Sequence, residues 1–296
     1  MNSIDQSFEL PLSPANFETR FVDVRANSID ALVEAGVRNI LATGHRVAVR
    51  AGEALQAYGV NYILSDPLNR LHLTRAGAVR YLCREFLAYF SGSLRVADGL
   101  SHAAPFWESL QDKDGRINSN YGHYVFYEPV EGYGSQYNWI IQRLSENLDS
   151  RRAIININQN YHKSDTLDFP CTVAIQFYVR GGSLYCEVLS RSTDVVTGLP
   201  YDMGFFSFLH ELVFNDLIER GIKGLRLGST IIKASFTQIY DRTFNKAVSV
   251  TKKNAVIADD LILSMPPIQS ASEVLADIYN GTTRTPVVAW ITEHAN

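Results

Sequence analysis

DFPCTVAIQFYVRGGSLYCEVLSRSTDVVTGLPYD, residues 168–202, is the stretch that decides how this chain folds. Cys171–Arg180 and Ser183–Ser190 are dense in Val, Ile, Tyr and Phe, side chains that suit a pleated, half-buried surface. Gly181-Gly182 between them is a two-residue hairpin turn, since that turn needs positive φ at both positions. Pro170 fixes the approach of the chain and places the Cys171 thiol at the first residue of the first strand. The second strand runs out into Arg191-Ser192-Thr193-Asp194 and a sharp Gly198-Leu199-Pro200 loop. Asp202 then opens a helix, read from about Phe205 to Arg220, whose apolar stripe (Phe206, Leu209, Leu212, Val213, Leu217) stops at Gly221.

Working outward, apolar residues recur at helical spacing from Ser28 to Leu41, and Gly44 breaks the pattern. Arg46–Gly59 reads as a loop leading into a strand near Ala54–Tyr58. Ala76–Phe90 carries the clearest helical face: Val79, Leu82, Cys83, Phe86, Leu87 and Phe90. Further on, Gln136–Leu148 suits a helix, Ala153–Asn158 a strand, Leu225–Tyr240 a long β segment, Ala255–Leu263 a strand and Ala271–Tyr279 a helix, followed by an irregular tail. Residues 1–27 have little periodicity and read as an N-terminal extension. Residues 28–296 hold no linker or repeat and read as one α+β domain, a large mixed β-sheet flanked by helices.

With 296 residues, 46% of them apolar, the chain can bury a core without disulfides or a structural metal. A net charge of −4 argues against a general nucleic-acid coat but leaves room for a local arginine cluster. Three scattered cysteines point to a reducing, cytoplasmic setting, and neither a secretory signal nor a membrane-length apolar run is seen. The histidines show no metal-ligand spacing, so no metal is expected, and Gly-rich phosphate loops are absent.

The residue types leave several alternatives open. A lone thiol such as Cys171 is ordinarily structural, and Cys83 on its apolar stripe is an inert core thiol. An active Cys171 needs a neighbour that favours the thiolate, and Arg191 at the end of the paired strand is placed for it. Arg50, Arg151, Arg152 and Arg191 lie in loops or at strand ends, where a guanidinium is either surface charge or a fork for phosphate oxygens, with Ser192 adding a hydroxyl. Asp202 is an N-cap or a ligand, Asp194 a turn cap or a ligand, and Glu85 beside the apolar stripe reads as a solvated flank.

Together these residues resemble the thymidylate synthase family, from roughly Ser28 to Tyr240. The family's strand pair reads Pro-Cys, Gln-Phe-Tyr-Val, Arg-Ser-x-Asp-Val and Gly-Leu-Pro-Phe-Asn. Here it reads Pro170-Cys171, Gln176-Phe177-Tyr178-Val179, Arg191-Ser192-Thr193-Asp194-Val195 and Gly198-Leu199-Pro200-Tyr201-Asp202. The resemblance implies a sheet face used for homodimerisation and 5,10-methylenetetrahydrofolate as co-substrate. It makes Cys171 the nucleophile, Glu85 the acid that organises water, and Tyr121 a tyrosine near the nucleophile. Arg50, Arg191 and Ser192 would hold the nucleotide phosphate, with Arg151 and Arg152 given across the dimer interface. Tyr240 would bind the sugar, and Trp107, Asp194 and Gly198 would line the folate site.

Two departures carry specificity. The family's Gly-Leu-Pro motif ends in Asn, which serves uracil. An ionised Asp202 only accepts, which suits the amino group of cytosine and a protonated N3 and repels uracil O4. Asp202 is also the mark of the deoxycytidylate hydroxymethylase branch. Gln238 stands where the family has a sugar-contacting His, so CMP is an alternative to dCMP. Quenching by hydride in place of water would give 5-methyl-dCMP. The chain's last residues lack the small apolar tail of thymidylate synthases, which favours water. A non-catalytic nucleotide- or RNA-binding homologue is the alternative outside enzymes.

Overall fold

The computed structural model describes residues 21–163, 166–252 and 263–296, and its seven strands form one mixed sheet. The strands are β1 (Val22–Ala26), β2 (His45–Val49), β3 (Gly52–Leu64), β4 (Ile154–Asn156), β5 (Thr172–Arg180), β6 (Ser183–Asp194) and β7 (Arg226–Tyr240). Their order across the sheet is β1-β3-β7-β6-β5-β4, with β2 folded back on β3. β1 runs parallel to β3 and β6 parallel to β7, and the other pairings are antiparallel. The turn that joins β5 to β6 has φ of 58° at Gly181 and 75° at Gly182, a region that side chains with a Cβ rarely enter.

The helices are α1 (Ile29–Thr43), α2 (Ala78–Ser91), α3 (Leu100–Ala103), α4 (Gln136–Glu146), α5 (Leu199–Glu219), α6 (Phe244–Lys252), α7 (Ala271–Asn280) and α8 (Pro286–His294). Helix α5 is apolar nearly all round and almost wholly buried, as a helix inside a core must be. It packs against β6 and β7 on one side and against α1, α2, α4 and α7 on others. Alternate residues of β6 (Leu184, Cys186, Val188, Ser190) turn inward to meet it. Phe86 of α2 meets Phe205 and Phe208 of α5 edge-on, with ring centroids 5.8 and 5.0 Å apart. Such pairs contribute roughly 0.5–1.5 kcal/mol each beyond the area they bury.

The opposite face of the sheet is open. Leu189 is 46% exposed and Phe236 41% exposed. Tyr178 stacks on Tyr185 there at 5.5 Å, and Lys233 pairs with Glu187 at 2.8 Å.

The structure departs from the sequence reading in four places. The strand expected near Ala54–Tyr58 lies within β3, but the segment before it is not a loop: His45–Val49 forms β2, so Arg46–Gly59 is the β2–β3 hairpin. Both faces of β2 are largely exposed, so its sequence carries no alternation to read. The end of the supposed extension, Val22–Ala26, pairs in the sheet as β1, where Val24 alone is fully buried and gives too short a pattern. Helix α5 begins at Leu199, with Pro200 in its first turn, and not near Phe205. The tail read as irregular contains α8, which Pro286 starts and which buries Val287, Val288 and Ile291. The expected strand Ala255–Leu263 lies outside the described residues but for its last one.

Candidate active site

The backbone at the head of β5 is fixed from several directions. Cys171 directly precedes Thr172, the first residue of β5, and its carbonyl accepts from the Arg191 amide at 2.9 Å. Arg191 donates from Nε to the Pro170 carbonyl (3.0 Å) and from Nη2 to that of Phe169 (2.6 Å), with its guanidinium 5.2 Å from the Phe169 ring. Two donors of the expected phosphate-binding arginine are thus occupied in holding the nucleophile's approach. The Cys171 sulfur lies 4.0 Å from the Ser192 hydroxyl. Burial pushes the thiol up, the Arg191 charge pulls it back down, and Asp202 adds to the rise. The resting group is therefore a thiol.

Asp168 anchors the facing loop. Its carboxylate accepts from the amides of Asn118 (2.6 Å) and Ser119 (2.7 Å) and from the Ser119 hydroxyl (2.6 Å). That loop delivers Tyr121, whose ring stacks on Phe206 and Tyr89. Gly122 follows it against α2, where a Cβ would come within 1.9 Å of the Tyr89 carbonyl oxygen. Burial raises the Tyr121 hydroxyl well above its usual range, and the charges of Asp202 and Cys171 raise it further.

Asp202 lies in the first turn of α5, whose N-cap is Gly198. Its side chain caps nothing, so the N-cap alternative fails. Among the described residues no hydrogen bond reaches its carboxylate, and burial alone raises that group to about 7. The sequence reading took Asp202 as ionised; in the free protein at neutral pH it is ionised in only part of the population.

Glu85, on α2, is 5% exposed, which removes the solvated-flank alternative. Burial raises it to about 8, helped by the Asp202 charge and opposed by a hydrogen bond from Tyr81. The Tyr81 hydroxyl donates to Glu85 Oε1 at 2.7 Å and accepts from Trp107 Nε1 at 3.2 Å. Tyr81 in turn packs on Tyr201, ring centroids 4.4 Å apart, and the Arg75 guanidinium lies 5.1 Å from the Tyr201 ring. The Tyr201 hydroxyl is buried with no partner among the described residues.

At the same end of the sheet, Asp194 of β6 stands in register with Gln238 of β7. Asp194 takes the turn-cap role: it accepts from the amides of Val196 (2.7 Å) and Thr197 (3.0 Å) and from the Thr197 hydroxyl (2.8 Å). The Gly198 amide donates to the Asp194 carbonyl at 2.9 Å, which ties the helix start to the strand end. Gln238 Nε2 reaches the Tyr240 hydroxyl at 3.5 Å, while its buried Oε1 has no partner among the described residues. Arg50, at the tip of the β2–β3 hairpin, donates to the Leu167 carbonyl at 2.7 Å. The hairpin is pinned below Tyr240 by an Arg46–Asp241 ion pair and by Arg242, which donates to the Ala51 carbonyl at 2.7 Å.

Hydrogen bonds and mutual charge effects thus join Cys171, Arg191, Ser192, Tyr121, Asp202 and Glu85, and Tyr240 feels both Asp194 and Cys171. Arg151 and Arg152 are left out. Both are exposed, and what they offer the rest of the chain is backbone: Arg151 accepts from Gln176 and Arg152 from Trp139. Sequence reasoning missed Asp168, Arg242 and Tyr81. For Tyr81 a signal existed, since Tyr81 and Glu85 are four residues apart on one helical face. Among the described residues, no cluster of His, Cys, Asp and Glu could hold a metal and no helix is long and apolar enough to cross a membrane.

A profile described as thymidylate synthase matches residues 34–277. The deoxycytidylate 5-hydroxymethyltransferase of Enterobacteria phage T4 is 28% identical over 198 residues, 65% of this chain and 78% of the phage protein. The enzyme of the same name from phage T6 matches to the same extent. A thymidylate synthase of Fusobacterium nucleatum is 33% identical over 143 residues, 48% of this chain and 50% of that protein.

Proposed function

This chain belongs to the thymidylate synthase family and is a one-carbon transferase, and from that premise we propose that it converts dCMP to 5-hydroxymethyl-dCMP. The observation that carries the reading is Asp202, a buried carboxyl group with no hydrogen bond among the described residues, standing where the family has an amide. Toward cytosine, one oxygen of Asp202 accepts from the amino group and the other shares a proton with N3. The phage relatives, by their name, act on deoxycytidylate.

The family uses a nucleoside monophosphate and methylenetetrahydrofolate. The partly buried Trp107 indole and the unpartnered Tyr201 hydroxyl, joined through Tyr81, fit a flat heteroaromatic co-substrate with polar edges. When bound, it supplies a one-carbon unit at the methylene level. The chain's residues do the rest. The Cys171 thiol gives its proton through solvent to the first folate nitrogen released from the methylene carbon, Arg191 favours the thiolate, and the sulfur bonds to C6 of cytosine. C5 thereby becomes nucleophilic and bonds to the one-carbon unit, and its proton passes through solvent to the second folate nitrogen as that bond breaks. After tetrahydrofolate departs, an exocyclic methylene remains at C5. Water attacks it, giving a proton to Glu85, and the electron pair restores the C5–C6 bond and expels the Cys171 thiolate.

Ser192 and the free Nη1 of Arg191 receive the phosphate together with Arg50, and Tyr240 the sugar. Arg151 and Arg152 serve the partner subunit's phosphate. Their exposure supports this, as does the Gln176–Arg151 bond that places them beside the open sheet face bearing Leu189 and Phe236. The buried, unpartnered Oε1 of Gln238 favours a second reading in which the sugar is ribose, because it offers an acceptor for a further hydroxyl. Incubation with dCMP or CMP and methylenetetrahydrofolate, with mass analysis of the nucleotide, tests both readings. A product heavier by CH2O from dCMP is expected. A product heavier by CH2, with a rise in dihydrofolate absorbance, would replace water with hydride, and exclusive turnover of CMP would replace the sugar.

A further inference from the structure

Tyr81 stands between a residue of the proposed folate wall and the buried acid, and the direction of its hydrogen bonds is fixed. An indole N–H can only donate, so the Tyr81 oxygen accepts from Trp107. The hydroxyl's single proton then goes to Glu85 Oε1, the only carboxylate oxygen within reach among the described residues. Were Glu85 protonated on Oε1, that proton would face the tyrosine proton or leave it without an acceptor. The other oxygen, Oε2, makes no hydrogen bond in the chain among the described residues.

We propose that Tyr81 is a positioning residue that assigns the titrating proton of Glu85 to Oε2, and so decides which carboxylate oxygen handles the water proton. The inference rests on the role given to Glu85 above and goes beyond it. Glu85 acquires a fixed tautomer: Oε1 is held as a permanent acceptor, and Oε2 alone takes up and releases the proton. The same chain makes the indole of Trp107 report on Glu85. When Oε2 loses its proton, the whole carboxylate becomes a stronger acceptor, the Tyr81 O–H polarises toward it, and the Trp107 N–H bond to Tyr81 strengthens.

The test has one arm that needs no turnover. The chain has three tryptophans, so an indole 1H–15N spectrum of the whole protein shows three signals, and Trp107→Phe assigns one of them. In the wild type that signal should titrate with the ionisation of Glu85. The titration should vanish in Glu85→Gln and in Tyr81→Phe, while the remaining indole signals keep their positions, which shows that both variants are folded. A Trp107 signal that titrates unchanged in Tyr81→Phe would overturn the proposal, as would one that never titrates in the wild type. In the second arm, Tyr81→Phe should lower kcat roughly 10- to 100-fold, less than the roughly 100- to 10,000-fold a general acid–base group itself contributes because Tyr81 only orients one, with KM for dCMP little changed. Its acidic limb should move upward, because Glu85 must be ionised to take the water proton and the bond that lowers it is gone. An unmoved limb with wild-type kcat would likewise overturn it. If the wild type turned over no pyrimidine nucleotide while the spectral arm held, the substrate reading would fail and the tautomer assignment would stand.

Discussion

Replacing Asp202 with Asn exchanges a group that accepts through one oxygen and shares a proton through the other for a group with one fixed donor and one fixed acceptor. The carboxylate makes no hydrogen bond within the chain among the described residues, so the substitution breaks nothing in the free protein and acts on the bound base. Two base contacts change character. Each mismatched contact in a buried site costs roughly 1.5–2 kcal/mol, which sums to about 3–4 kcal/mol. At about 1.4 kcal/mol per decade, the ratio of kcat/KM for dCMP over dUMP should fall by roughly 100- to 1000-fold. The pH profile gives a second measure. Asp202 is raised to about 7 by burial, and the cytosine contact needs one proton between the carboxyl and N3. Wild-type kcat/KM for dCMP should therefore decline as pH rises through about 7, and this limb should be missing in Asp202→Asn. Steady-state kinetics on both nucleotides between pH 5.5 and 9 would read both effects. A selectivity ratio unchanged within threefold would refute the reasoning, whatever the variant's absolute rate.

Iodoacetamide should modify Cys171 alone, since Cys83 is pushed up to about 12 and the buried Cys186 lies well above the usual thiol range. Peptide mapping by mass spectrometry checks this, and the rate at neutral pH should be slower than for free cysteine because burial raises Cys171. Mixing Cys171→Ala with the double variant Arg151→Ala/Arg152→Ala should restore about a quarter of wild-type activity, since half the dimers formed would hold one complete site; activity no higher than either parent would argue against shared arginines. Asp168→Ala removes the acceptor of three buried hydrogen bonds. At roughly 1 kcal/mol each this costs about 3 kcal/mol, a fall in Tm of about 6–12 °C by calorimetry. Burial raises both Glu85 and Asp202, so each contributes stability that is complete below the unfolded carboxylate range and is lost as pH rises through about 7 to 8. Thermal unfolding should show a Tm that declines as pH rises from the unfolded carboxylate range to about 8 and levels off beyond it, and less steeply in Glu85→Gln.

The strand pair was legible because Gly181-Gly182 and the β-branched runs around it speak for themselves, and α2 because its apolar face repeats over three turns. Elements without that contrast were not. β2 buries neither face, and α8 presents too few buried residues to stand out from the tail. The Cys171 surroundings were legible through a motif that is contiguous in sequence. Asp168 opens that same stretch, yet its partners lie 49 and 50 residues away, and no local pattern announces a carboxylate that folds a distant loop. Tyr81 was obscured differently. Its spacing from Glu85 was readable, but the apolar stripe of α2 claimed the reading, and the Trp107 bond arises only when the turn at Pro105–Leu110 packs down.

Arg46 and Arg242 fasten the Arg50 hairpin to the residues just after Tyr240. The side chains proposed to touch the phosphate and those proposed to touch the sugar therefore ride on one mechanical unit, not on independent arms. Length along the nucleotide is then gauged by a rigid caliper. A ligand whose phosphate is displaced by one extra bond cannot be met by moving Arg50 alone, because the jaw at the sugar moves with it. On the proposed assignment of Arg50 and Tyr240, monophosphates of a single reach should bind in preference to nucleosides and diphosphates before any contact with the base is made.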